Sequence, residues 1–312
     1  MNKQPIKIFM RYPLIIYLAC FMVFYSPSFI TKYLWSDEYS YQSEISGLRS
    51  DLISNLRPSY ALLTYLPSIF FQEKVSFQLA RFLAVIGLSL LAHEIHYLFK
   101  SASRFLIIFM CVSLGLLTIP FQNWIYFGVC APFTWAAYLS MLGIRIWQSQ
   151  SNFNTRFMAI LLIILSYGIY PLATIFPLGV YYFKDFLEFS NVTLRKRIEQ
   201  IIKIGWALVL PGLLSLPVFY VISKSALGTV APRTSIADVS EIVNSIFFNL
   251  THNIAQSFRI LWIDSPSTTV GVSEILLVVF FVFACLKRLK KNSNWWGVIA
   301  EFIFLVIVMM LM

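Results

Sequence analysis

The chain has 312 residues, 59% of them apolar and 12% charged, with a mean hydropathy of +0.75. Soluble domains carry roughly half apolar and a quarter charged residues, so this composition excludes an ordinary water-soluble fold. The formal charge of +10 sits in short connectors such as "KSASR" (100–104), "LRKR" (194–197) and "LKRLKK" (286–291), which suits loops facing anionic lipid rather than an extended nucleic-acid surface.

The long apolar runs approach the ~20 residues of a spanning helix and do not alternate as barrel strands would. They predict an all-α, polytopic transmembrane helical bundle of about nine spans, read from the run pattern as one membrane domain over residues 1–312. Cys20, Cys111, Cys130 and Cys285 lie inside apolar runs without close pairing, which argues against a disulfide framework or a thiolate metal site. The basic start "MNKQPIKIFMR" leads into a first span at 13–31 with no small-residue cleavage site after it. It reads as a retained span with a cytoplasmic N-terminus.

External loop 1 (32–77) follows, with "WSDEYSYQSEISGLRSDLISNLRPSY" at its centre. Asp37 and Glu38 come just after Tyr33 and Trp35, aromatic residues suited to the headgroup zone. Neighbouring carboxylates repel, which favours a proton or a cation on the pair and suits either as a general base. A divalent cation is permitted there without being specified. Arg49 and Arg57 bring guanidinium forks that match phosphate oxygens, against the plainer alternative of pairing with Glu44 and Asp51. Pro58 suits the start of a helix, and the apolar piece at 60–71, which contains Pro67, is too short to span and reads as interfacial.

Residues 78–98 return to the cytoplasmic side. Within them "AHEIHYL" sets His93 and His96 three apart around Glu94, the wrong spacing for a metalloprotease zinc helix, so these read as polar groups reaching for the interface. Runs at 104–120 and 125–147 go out and back. Residues 157–183, containing "SYGIYPLATIFP", have basic flanks at both ends, so charge parity requires two short legs broken at Gly168 and Pro171. Tyr167 and Tyr170 at that break are candidates to line a substrate cavity, with ordinary aromatic packing as the alternative. Residues 204–223 exit again into external loop 2 (224–271), where Arg233 offers a further phosphate contact or a solvated cation. Runs at 272–286 and 295–312 complete the pattern.

No "GxSxG" and no Gly-rich phosphate loop occurs, which argues against nucleoside-triphosphate hydrolysis. The order of a basic N-terminus, one span, an external acidic pair, Arg-Pro and further short spans resembles the GT-C superfamily of polytopic glycosyltransferases. Within it the chain is similar to the Gtr-type serotype-converting glucosyltransferases. The resemblance implies transfer of a sugar, glucose by family habit, from a polyprenyl-phosphate donor to O-antigen or another surface polysaccharide, at the periplasmic face of a bacterial inner membrane. It also implies Asp37 as base with Glu38 supporting it, and Arg57 as the basic residue ahead of proline. The chain departs from the family pattern in "NLRP", which lacks the usual glycine before Arg-Pro, in Glu38 where Asp is commoner, and in its shorter length. Two other functions fit the layout: a lipid-linked sugar flippase or small-solute transporter, and an O-antigen polymerase or ligase.

Overall fold

The computed structural model describes residues 13–30, 45–63, 77–99, 130–149, 152–187 and 194–227, with short pieces at 108–109, 112–113, 116–117 and 125. The regular elements of this portion are all helical: α1 Pro13–Ile30, α2 Ile45–Ser54, α3 Phe77–Phe99, α4 Pro132–Ser149, α5 Phe153–Ile169, α6 Pro171–Thr174, α7 Phe176–Leu187 and α8 Leu194–Leu227. Among the described residues three helical stretches, Pro13–Ile30, Phe77–Phe99 and Ile202–Leu227, are long and apolar enough to cross a membrane, and Phe153–Ile169 and Pro171–Tyr181 are shorter apolar helices. The protein is therefore a membrane protein. Asp37, Glu38, Arg233, most of both external loops and the runs at 272–286 and 295–312 lie outside the described residues.

Packing fixes which way each helix runs. Near its start α1 places the Tyr17 hydroxyl 3.0 Å from His96 Nδ1 at the end of α3. Near its finish the Ser28 carbonyl accepts from Arg81 Nη1 at the start of α3 (3.1 Å). These two helices are thus antiparallel. Tyr17 also meets Phe109 and the Tyr25 hydroxyl donates to the Leu116 carbonyl, so the 108–117 pieces ascend beside α1. By the same test α4 descends, α5 ascends, α7 descends and α8 ascends, because Phe133 meets Tyr170, Arg156 lies over Trp147, Arg145 and Lys184 share a cleft, and Ser223 reaches Ile53. These described elements therefore alternate in direction through the bundle.

Small residues let the helices approach closely, as is usual where lipid offers no hydrophobic drive for association. A Cβ on Gly87 would lie 2.7 Å from Thr134 Oγ1, and one on Gly143 would lie 2.8 Å from Ile163 Cγ1, so α4 is pressed against both α3 and α5. Tyr17, Phe21 and Tyr25 of α1 are fully buried, whereas Ile15, Val23 and Ile30 on the same helix are exposed and suit a lipid-facing surface. Pro27 removes one backbone donor from α1. The carbonyl it would have served, that of Val23, accepts the Ser26 hydroxyl instead (2.9 Å).

Three boundaries differ from the sequence expectation. The helix expected over 125–147 is seen as Pro132–Ser149, helical backbone begins at 58 rather than 60, and α8 extends ten residues before the expected 204. Helical propensity outlasts the apolar window at the basic "LRKR", because Arg and Lys are good helix formers.

Candidate functional site

The carboxyl half of loop 1 is built as a helix, a tight turn and a second helix. At the end of α2 the Leu56 N–H donates to the Ile53 carbonyl (3.1 Å) and the Arg57 N–H to the Leu52 carbonyl (2.8 Å). This is the double-bonded stop that satisfies otherwise orphaned carbonyls, and it requires a left-handed residue at its centre. Leu56 fills that position with φ 57°. A non-glycine residue pays about 1–2 kcal/mol for that conformation. Leu56→Val should lower the melting temperature in detergent, because β-branching aggravates the strain, while Leu56→Gly should hold or raise it.

The turn delivers Arg57 to the break between α5 and α6. Its Cζ lies 5.1 Å from the centroid of the Tyr170 ring, within range of a cation–π contact. Tyr170 is stacked on Phe133, with ring centroids 3.8 Å apart and planes 7° from parallel, and Tyr60 meets Phe133 edge-on at 6.4 Å. Arg57 thus caps an aromatic column drawn from three separated segments. Among the described residues no carboxylate forms an ion pair with Arg57. A guanidinium seated on a ring spends no hydrogen bond there, so its N–H groups remain available to an anion.

The break itself is the one expected at Gly168 and Pro171. Tyr170 is extended (φ −157°, ψ 109°), ending α5 and preceding the proline that opens α6. The Ser166 hydroxyl lies 2.7 Å from both the Ala136 carbonyl and Thr174 Oγ1, and Thr174 Oγ1 is 3.0 Å from the Tyr170 carbonyl. With one proton each, the two hydroxyls make two of these three contacts hydrogen bonds at a time, which supplies donors to polar groups buried at the break. Gly168 lies against Ser59, where a Cβ would collide with the serine hydroxyl. The Ser223 hydroxyl reaches the Ile53 carbonyl at 2.5 Å. Loop 1 is thereby seated between the break and the end of α8.

The two tyrosines separate in position. Tyr170 joins Arg57, but Tyr167 lies against α8, where a Cβ on Gly212 would be 2.9 Å from its Cζ. Both tyrosines are half-buried and pack against the core. Arg49 is on α2, half-buried, one turn before Leu52. Arg81 carried no signal in the sequence reading, yet it is fully buried within an apolar helix. An arginine inside a span is costly, and that cost was the signal available. Its hydrogen bond to the Ser28 carbonyl puts it at the same end of the bundle as Arg57.

Glu94 and the histidines belong to the opposite end. Glu94 does not reach for the interface: its side chain is 5% exposed and its Oε2 lies 2.8 Å from Arg145 Nε. Neither atom meets hydrogen-bond geometry, so the contact is ionic and off the N–H axis. Burial wins over the interface because α4 supplies the counter-charge. His96 is engaged by Tyr17, while His93 Nδ1 stands 3.9 Å from Glu94 Oε1. Among the described residues no three His, Cys, Asp or Glu side chains come together as a metal-ion group. No family model, curated protein or solved structure matches the chain.

Proposed function

We propose that the chain is a membrane glycosyltransferase that moves a sugar, glucose in the first instance, from a polyprenyl-phosphate donor to O-antigen or another surface polysaccharide. The observation that carries the reading is the seating of Arg57 on the Tyr170–Phe133 column at the helix break. A cation held without a counter-ion among the described residues, at the end of a membrane bundle, suits a lipid-borne phosphate. Aromatic rings beside it suit a sugar face or an isoprenoid chain.

In the reaction, a carboxylate from the Asp37–Glu38 pair accepts the proton of the acceptor hydroxyl. The hydroxyl oxygen bonds to the sugar's anomeric carbon as the bond from that carbon to the phosphate oxygen breaks. The electron pair leaves with polyprenyl phosphate, and Arg57 faces the developing charge, with Arg49 and Arg233 as further cations. Stabilisation of that kind acts only where charge develops, which is where it accelerates the step. The periplasmic face of a bacterial inner membrane is the setting, with the N-terminus cytoplasmic.

Reconstitution tests the reading. Proteoliposomes given a polyprenyl-phosphate hexose and a polysaccharide acceptor should yield hexosylated acceptor and free polyprenyl phosphate. Movement of the lipid-linked sugar between leaflets with no glycosidic bond formed would identify a transporter instead. Consumption only of a lipid-diphosphate oligosaccharide would identify a polymerase or ligase.

A further inference from the structure

We propose that the turn between α4 and α5 carries an anionic-lipid site, in which Arg156, seated on Trp147, takes the headgroup phosphate of a phospholipid while Phe153 and Phe157 lie against its acyl chains. The Arg156 Cζ is 5.6 Å from the centre of the Trp147 ring, within cation–π range. Arg156 is exposed, and among the described residues no carboxylate pairs with it. The sequence offers no local one, since no Asp or Glu occurs between Glu94 and Asp185. Glu94 itself is held by Arg145, which lies two residues from Trp147 and so on another side of α4. The ring fixes the plane of the guanidinium without spending its N–H groups, which are left for an outside acceptor.

Phe153, Arg156 and Phe157 stand three and four positions apart, hence on one face of α5. The two rings stack, with centroids 6.4 Å apart and planes 14° from parallel, and they are 81% and 51% exposed. Met158 beside them is exposed as well. Bare aromatic rings next to a cation suit the boundary of a leaflet, where the rings enter the acyl region and the cation stays among the headgroups. The close approach of α4 and α5 at Gly143, four residues before Trp147, holds the two halves of the patch at one spacing. In the topology read from the basic connectors this end faces the cytoplasm, the side whose leaflet carries anionic lipid. Charge and apolar surface together fit a phospholipid of net negative charge, whereas a soluble anion would leave the rings in water.

The test uses the full-length chain in neutral detergent with an equimolar mixture of dioleoyl phosphatidylglycerol and dioleoyl phosphatidylcholine, the lipid adducts being read by native mass spectrometry. The wild type should retain phosphatidylglycerol in preference to phosphatidylcholine. Arg156→Gln should weaken retention of phosphatidylglycerol about tenfold, the loss of one charge-assisted hydrogen bond, and affect phosphatidylcholine far less. The Phe153→Ser/Phe157→Ser form should weaken both lipids, because it removes the apolar half of the patch. Lys203→Gln, which removes an exposed lysine of α8, should leave the preference close to that of the wild type. Melting temperatures in lipid-free detergent confirm that each variant is folded. Equal retention of the two lipids by the wild type, or an unchanged preference in Arg156→Gln, would overturn the site. An equal loss in Lys203→Gln would overturn it too, as a diffuse effect of surface charge, and so would displacement of phosphatidylglycerol by an equal concentration of inorganic phosphate.

Discussion

Arg145→Leu should be among the most destabilising single changes in the described part of the chain, costing about 3–5 kcal/mol, because removing one partner strands a buried charge. Glu94 has a side chain only 5% exposed and loses its guanidinium partner at 2.8 Å. Arg145 is itself 38% exposed, so water screens part of the interaction and the lower end of the range applies. The doubly neutral Glu94→Gln/Arg145→Gln form should recover most of the loss, since an ion pair replaced as a unit costs little. Thermal unfolding in detergent, followed by tryptophan fluorescence across the wild type, Glu94→Gln, Arg145→Gln and the double, measures the coupling directly. Equal melting temperatures for wild type and Arg145→Leu would show that the pair holds nothing together.

Arg57→Ala should reduce glycosyl transfer by about 10²–10³-fold, the range found when one preorganised group facing developing charge is removed. Arg57→Lys keeps the charge but loses the fork and the flat face that rests on Tyr170, so it should restore only part of the rate. Tyr170→Leu should cost about tenfold, since it removes a cation–π contact of roughly 0.5–2 kcal/mol and frees the guanidinium to wander. Single-turnover transfer assays on the purified variants, with melting temperatures as a folding control, separate these three effects. If Arg57→Ala retained full activity, the column would be structural packing and nothing more.

What could be read in the sequence follows from which forces act locally. Hydropathy and basic connectors alone placed spans at 13–31 and 78–98, where the structure has helices Pro13–Ile30 and Phe77–Phe99, and these run antiparallel in the contacts of Tyr17 with His96 and of Ser28 with Arg81. Proline and glycine chemistry bracketed the break, since Gly168 and Pro171 stand on either side of Tyr170. Contacts between distant segments left no such trace. The meeting of Arg57 with Tyr170 joins residues more than a hundred positions apart, and Phe133 enters only because α4 packs across α5. Glu94 looked like an interfacial group because its counter-charge lies 51 residues away on another helix. The left-handed shape at Leu56 was hidden because the residue there is not the one that adopts it easily.

Asp37, the proposed base, gives the most direct test of the proposed function. Mass spectrometry of the surface polysaccharide should be run on cells carrying the wild-type chain, the Asp37→Asn form at equal membrane abundance, and no chain at all. A hexose-bearing repeat unit present with the wild type and missing from the other two is the expected result. Hexose addition undiminished by Asp37→Asn would contradict the assignment of the base. A polysaccharide identical in all three would contradict glycosyl transfer to that polymer.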